Sequence, residues 1–191
     1  MKALIAVVAA IAVALFLAPA AQAGIAVADC SGQFFSSANA IDGNLATMWL
    51  VDNRAGADPN PWIAIDVTGT PGDNTTLMVN SVTVYGGDSF GVTQEVELLY
   101  SADAVFATAT FTSLGLKTIL GSNAATMIDM DVQAQYVKFL VTKVSGGTAP
   151  FTAGNPNFLG LAELQADAVP EPATMALLGL GLVGLMARKR K

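Results

Sequence analysis

Between residues 24 and 168 the chain is written in steps of two. Residues 62–67 set Ile63, Ile65 and Val67 against Ala64 and Asp66, and residues 81–85 set Val82 and Val84 against Thr83 and Tyr85. Successive side chains of a strand point to opposite faces, so this alternation predicts half-buried β-strands. Residues 92–101 put Glu95 and Glu97 on one face and Val96, Leu98 and Tyr100 on the other. Residues 136–144 set Val137, Phe139 and Val141 opposite Lys138 and Thr142, and a last strand is expected near residues 159–165. Gly, Pro, Asn and Asp gather at 52–61, 68–74, 86–88, 114–123 and 145–157, where the chain is expected to break. No stretch between them carries a helical stripe of useful length. Short strands spaced by such turns predict an all-β sandwich or jelly roll.

What holds such a sandwich is limited by composition. The 191 residues include no histidine and one cysteine, which excludes histidine-based triads, zinc sites and a stapling disulfide together. Cys30 reads as an ordinary, partly buried thiol. The whole chain has 9 basic and 15 acidic residues, a formal charge of −6. Setting aside Lys2, the four terminal cations and Glu171 leaves 4 basic and 14 acidic residues over 24–168, a formal −10. An acidic domain without a basic stripe argues against nucleic acid and anionic lipid as partners.

The two ends are of another kind. Met1-Lys2, an apolar run over 3–18, Pro19 and the small residues around Gln22 form the three parts of a secretory signal peptide over 1–23, an apolar helix cut after Ala23. The run is shorter than the roughly 18 residues that a permanent span needs. At the other end Val169-Pro170-Glu171-Pro172 is followed by an apolar stretch of 15 residues over 173–187, broken only by Thr174, and by Arg188-Lys189-Arg190-Lys191. At about 1.5 Å per residue a helix over 173–187 is about 22 Å long, short of a hydrocarbon core about 30 Å thick. The segment is expected to dwell in a membrane and anchor only marginally, its cations on the cytoplasmic side.

This tail closely resembles the PEP-CTERM sorting signal of Gram-negative bacteria, through Val169, Pro170, Glu171 and Pro172, the Gly-rich apolar span and the basic end. The resemblance implies an exported protein that passes through an inner-membrane intermediate. An exosortase, a transpeptidase-like membrane enzyme, would then cut it at the motif in a host that makes exopolysaccharide. Its destination is the cell surface or extracellular matrix. Residues 169–191 are thus a sorting signal with a short transmembrane segment, and 24–168 are the working domain.

Within that domain, residues 38–49 pack Asn39, Asp42, Gly43, Asn44 and Thr47 ahead of Trp49. Ca²⁺ takes about six to eight oxygens from carboxylates, carbonyls and hydroxyls, and a glycine lets a loop turn tightly enough to aim them inward. From chemistry alone, a simple Asx turn explains Asp42-Gly43-Asn44 about as well.

The order Ala40-Ile41-Asp42-Gly43-Asn44, Thr47, Trp49, then Pro61-Trp62-Ile63-Ala64-Ile65-Asp66, Tyr136-Val137-Lys138-Phe139 and Gly160-Leu161-Ala162-Glu163-Leu164 resembles the discoidin family. That family is also called the coagulation factor 5/8 type C domain and is similar to family 32 carbohydrate-binding modules. The likeness spans about 39–166. It implies a discoidin-like β-sandwich jelly roll with a structural calcium held by the first loop and the last strand. The ligands would be the backbone oxygens of Asn39, Asn44, Thr47 and Ala162, the Thr47 hydroxyl, and the Asp42 and Glu163 carboxylates. It assigns Trp49 and Trp62 to packing. The sequence departs from the family in lacking the terminal cysteine pair of animal members and the His and basic residues of many sugar-binding ones.

Candidate carbohydrate contacts lie in the long polar loops: Asn53 and Arg54 in one, Phe151, Asn155 and Asn157 in another. Asp129 and Asp131, like Glu95 and Glu97, stand two residues apart on one strand face and mimic a catalytic carboxylate pair, but a solvated strand face accounts for both. No enzyme is expected. The expected function is a non-catalytic exported module, stabilised by calcium, that binds carbohydrate or exopolysaccharide. The alternative is a structural or adhesive envelope protein that contacts other proteins and has no glycan site.

Overall fold

A computed structural model describes residues 24–54, 58–87, 92–121, 123–152 and 158–169. The chain divides into two compact units, Ala23–Ala168 and the pair of ends Met1–Gln22 with Val169–Lys191. The strands described here belong to the first unit, save Val169 at the last strand's end. The expected helices over 1–23 and 173–187 lie outside the described residues. Among those described, no helix is long and apolar enough to cross a membrane.

The described residues form strands β1 Ala26–Cys30, β2 Trp49–Asp52, β3 Trp62–Asp66, β4 Leu77–Tyr85, β5 Thr93–Ser101, β6 Thr112–Thr118, β7 Ala125–Ala134, β8 Tyr136–Val144, β9 Gly147–Thr148, β10 Phe158–Leu161 and β11 Glu163–Val169. One sheet runs β1-β3-β8-β5-β6, with β9 on β8. A second runs β11-β4-β7, and β10-β2 forms a two-stranded ribbon. β1 with β3, β3 with β8, β8 with β5, β5 with β6, β8 with β9, β4 with β7 and β10 with β2 all pair antiparallel. The fold is the expected all-β sandwich, with its core between the inward faces. Alternation delivers Ile63 and Ile65 from β3, Val96 and Leu98 from β5, and Val137, Phe139 and Val141 from β8, all fully buried, against Val79, Val82 and Val84 of β4.

Two expectations need correction. The single strand near 159–165 is two strands in different sheets. β10 pairs with β2, Ala162 donates its N–H to the Tyr85 carbonyl at 2.9 Å, and β11 then joins β4. The break expected at 114–123 contains most of β6. This is a sheet edge, so Leu116 stays 60% exposed and the two-step apolar signal fails, while Gly115 takes a φ of 81° beside a register shift opposite Glu97 and Leu99.

The outer face of the five-strand sheet is also partly covered. The short 3-10 turn Phe106–Thr108 lays Phe106 against Trp62 at 5.9 Å, Phe111 at 5.6 Å and Tyr136 at 5.3 Å. Lys138 Nζ stands 3.9 Å from the Trp62 ring centroid, and burial pulls its pKa down. Ala64 and Asp66, on the side of β3 that alternation alone would leave to water, are both fully buried, Asp66 with bonds to Thr68 and Gln135.

Gly160 holds the crossing from ribbon to sandwich. It pairs with Leu50 and bridges to Val92 of the segment before β5, and its carbonyl accepts from the Thr93 hydroxyl. A Cβ there would stand 1.9 Å from the Trp49 carbonyl oxygen and 2.8 Å from Leu50 Cδ2. Backbone cannot yield as a side-chain tip can. Gly160→Ala is expected to cost at least about 1–3 kcal/mol, read as a lower urea midpoint at unchanged slope.

Candidate functional site

The loop between β1 and β2 is built by its own polar side chains. Ser36 Oγ accepts the Ala38 N–H at 3.3 Å and starts the 3-10 turn Ser37–Ala40; Asn39 Nδ2 then donates to the Met48 carbonyl at 3.2 Å and ties the loop's two ends. Gly43, with φ 76°, lets the chain reverse. Asp42 Oδ1 accepts the Asn44 N–H at 2.8 Å, and Asp42 Oδ2 and the Asn44 carbonyl both lie 2.8 Å from Thr47 Oγ. The Asx turn and the inward-facing oxygens are therefore features of one loop.

Glu163, at the start of β11, closes this loop from 120 residues away: its Oε2 accepts the Gly43 N–H at 3.2 Å. The residue is 2% exposed. Burial pushes its carboxyl pKa up, the Asp42 charge adds to the rise, and the Gly43 N–H opposes it. Of the six residues expected to hold calcium, Asp42, Asn44, Thr47 and Glu163 are drawn together by these bonds. Asn39 bridges the loop, and Ala162 sits at the crossing beside Glu163. Among the described residues no three His, Cys, Asp or Glu side chains gather as a metal cluster, so this cradle has two carboxylates and depends on carbonyl and hydroxyl oxygens for the rest. That donor set is hard and acceptor-rich. A buried carboxylate beside a second carboxylate, with the Gly43 N–H as its donor among the described residues, fits a cation.

A second surface lies on the β10-β2 ribbon. Phe158 pairs with Asp52 across it, and Phe34 donates its N–H to the Leu50 carbonyl at 2.6 Å, which brings the Phe34 ring 5.2 Å from that of Phe158. Arg54 spans both rings, its guanidinium carbon 5.6 Å from Phe34 and 5.1 Å from Phe158. Asp52 orients it through Nε at 2.9 Å and Nη2 at 2.6 Å, and that Arg54 bond holds the Asp52 carboxyl down at about 2. Phe34 and Phe35 remain about half exposed, at 48% and 46%. An oriented guanidinium among exposed aromatic faces can meet both the hydroxyls and the C–H faces of a sugar.

Two expected contacts are corrected here. Asn53 is fully buried, its Nδ2 donating to the Thr152 carbonyl at 2.8 Å, and Phe151 is 4% exposed within the core. They fasten one loop to the other and do not face a polymer. Arg54 is at the surface; Asn155 and Asn157 lie outside the described residues. The expectation missed Phe34, Phe35 and Phe158. The adjacent phenylalanines in a stretch without alternation were the available signal. Of the carboxylate pairs, Glu95 accepts from the Thr142 hydroxyl at 2.9 Å, Glu97 from the Ser113 hydroxyl at 2.6 Å, and Asp129 and Asp131 are exposed on β7.

Residues 168–191 match the PEP-CTERM protein-sorting motif. No curated protein matches the chain. Solved structures do match. The family 32 carbohydrate-binding module of Clostridium perfringens NanJ, solved with galactose, is 16% identical with a TM-score of 0.57, over 76% of this chain and 94% of that one. CBM32-3 from a family 31 glycoside hydrolase of the same organism is 16% identical with a TM-score of 0.59, over 76% and 91%. The C-terminal domain of a chitobiase from Bacteroides fragilis is 19% identical with a TM-score of 0.56, over 78% and 95%. The sandwich is the fold of family 32 carbohydrate-binding modules.

Proposed function

We propose that this protein is a non-catalytic carbohydrate-binding module, exported and sorted to the cell surface or matrix, with its sugar site on the β10-β2 ribbon. The observation that carries the reading is the Asp52-oriented Arg54 lying over Phe34 and Phe158. The sandwich fold and the sorting motif support it. Several structures of the same fold are solved with galactose or N-acetylgalactosamine sugars, so galactose-bearing polymers, including an exopolysaccharide of the producing cell, are the first ligands to try. The signal over 1–23, an inner-membrane intermediate held by 173–187 and cutting by an exosortase near Val169 belong to the same reading.

Calcium is the structural partner proposed for the first loop. The Asp42 and Glu163 carboxylates, the Thr47 hydroxyl and the backbone oxygens of Asn39, Asn44, Thr47 and Ala162 would hold it. Bound there, a divalent cation neutralises two adjacent carboxylates and ties the first loop to the last strand.

Retention on immobilised galactose-containing polysaccharide tests the sugar site. The protein should bind, and Arg54→Ala and Phe34→Ala should each weaken binding by about tenfold, the scale of one lost charge-assisted or stacking contact. Failure of the unaltered protein to bind any polymer of a broad glycan panel with calcium present would falsify the reading. Self-association without glycan binding would point to an adhesive envelope protein.

A further inference from the structure

The turn from β3 to β4 encloses a second group of oxygens. Residues 66–75 reverse through Gly69 and Gly72, with φ of 75° and 83°, and bring Asp73 back towards Asp66. Asp66 and Gln135, the latter in the bend between β7 and β8, are both 0% exposed. Asp66 Oδ1 accepts from the Thr68 N–H at 2.8 Å and from its hydroxyl. Asp66 Oδ2 lies 3.3 Å from Gln135 Nε2, and Asp73 Oδ1 lies 3.4 Å from the same nitrogen. Both distances exceed the about 2.7–3.2 Å of a good N–H···O bond.

The other end of that amide carries the second observation. Gln135 Oε1 is buried and, among the described residues, has no hydrogen-bond partner. One amide nitrogen thus serves two carboxylates at long range, although Asp73 Oδ1 also accepts the Thr75 N–H at 2.9 Å, while an acceptor about 2 Å away from that nitrogen, by amide geometry, faces no donor among the described residues. Among the described residues the one ion pair joins Arg54 and Asp52, so neither carboxylate of this turn has a cation. A half-turn of the amide exchanges its oxygen and nitrogen in nearly the same volume. It would place Oε1 beside Asp66 Oδ2 and Asp73 Oδ1, which is favourable only with a positive charge among the oxygens. Carboxylate and amide oxygens together suit a hard cation of adaptable coordination, which is Ca²⁺.

We propose that Asp66, Asp73 and Gln135 form a second hard-cation site that takes Ca²⁺ through the two carboxylates and the Gln135 amide oxygen, with water completing the shell. Asp66 ends β3, Asp73 comes from the turn before β4, and Gln135 precedes β8, so the ion clamps the β3-β4 turn to the β7-β8 bend. The site shares no residue with the loop of Asp42 and Glu163, so the two can be removed separately.

Calorimetric titration of CaCl₂ into the full chain decides the matter. The protein carrying Asp42→Ala is expected to bind one equivalent, and adding Asp73→Asn should weaken that binding at least tenfold. Asp73 is exposed, so far-UV circular dichroism should show the Asp73→Asn chain folded. An Asp42→Ala chain that binds no Ca²⁺, or one whose binding Asp73→Asn leaves unchanged, overturns the proposal. If the unaltered chain itself binds a single equivalent and loses it on Asp73→Asn, this site stands and the Asp42 site falls.

Discussion

Trp49→Ala is expected to cost about 3–5 kcal/mol, the usual range for deleting a buried large aromatic. Trp49 is fully buried, and its Nε1 donates to the Gly32 carbonyl at 2.8 Å. It is the first residue of β2, paired with Leu161 of β10, so its ring fills the junction where the ribbon meets the sandwich. Truncation leaves a cavity and an unpaired Gly32 carbonyl at once. Collapse is restricted because the Trp49 carbonyl already lies against Gly160. At roughly 2–4 °C per kcal/mol for a domain of about 150 residues, the melting temperature should fall by about 10 °C at fixed calcium. Trp49→Phe keeps most of the volume and loses the N–H, so it should lie between the two. A loss below about 1 kcal/mol for the alanine variant would show that Trp49 does not hold the junction.

How far the chain reveals itself depends on which interaction fixes each residue. β8 is legible at both ends because Val137, Phe139 and Val141 face one core, and the two-step pattern survives wherever a strand has one dry face. β6 hides because an edge strand has less to bury. The split between β10 and β11 hides because its cause is not local: Ala162 turns the chain by bonding to Tyr85, 77 positions earlier. The same division runs through the sites. The loop over 39–49 is legible since its bonds are between neighbours in sequence, Asp42 with Asn44 and Thr47. Phe34, Arg54 and Phe158 come from three separate stretches and meet through the register of β2 with β10 and the bond from the Phe34 N–H to the Leu50 carbonyl. Asn53 and Phe151 look like loop residues because nothing local announces that Thr152 will accept the Asn53 amide.

In chelator, stability should fall as pH rises above about 4.5, and Glu163→Gln should flatten that fall. Burial, then Asp42, raise the Glu163 carboxyl above its ordinary 4.5. A folded state that holds a proton more tightly than the unfolded chain is fully favoured below the unfolded value, and it loses that advantage as pH passes the raised folded value. Once Glu163 ionises without calcium, the unaltered protein buries a charge beside Asp42, whereas the glutamine variant does not. The variant should therefore melt at or above the temperature of the unaltered protein in chelator. Calcium should reverse the order. At a hundred times the dissociation constant, binding to the folded state alone adds about 2.7 kcal/mol, and a variant that has lost one of the two carboxylates should gain far less. Both proteins should carry Asp73→Asn, so that a cation at Asp66 contributes to neither. Thermal melts at neutral pH, with and without calcium, give four temperatures whose crossing identifies Glu163 as a charged ligand. Parallel shifts in the two proteins would instead make it a buried structural acid.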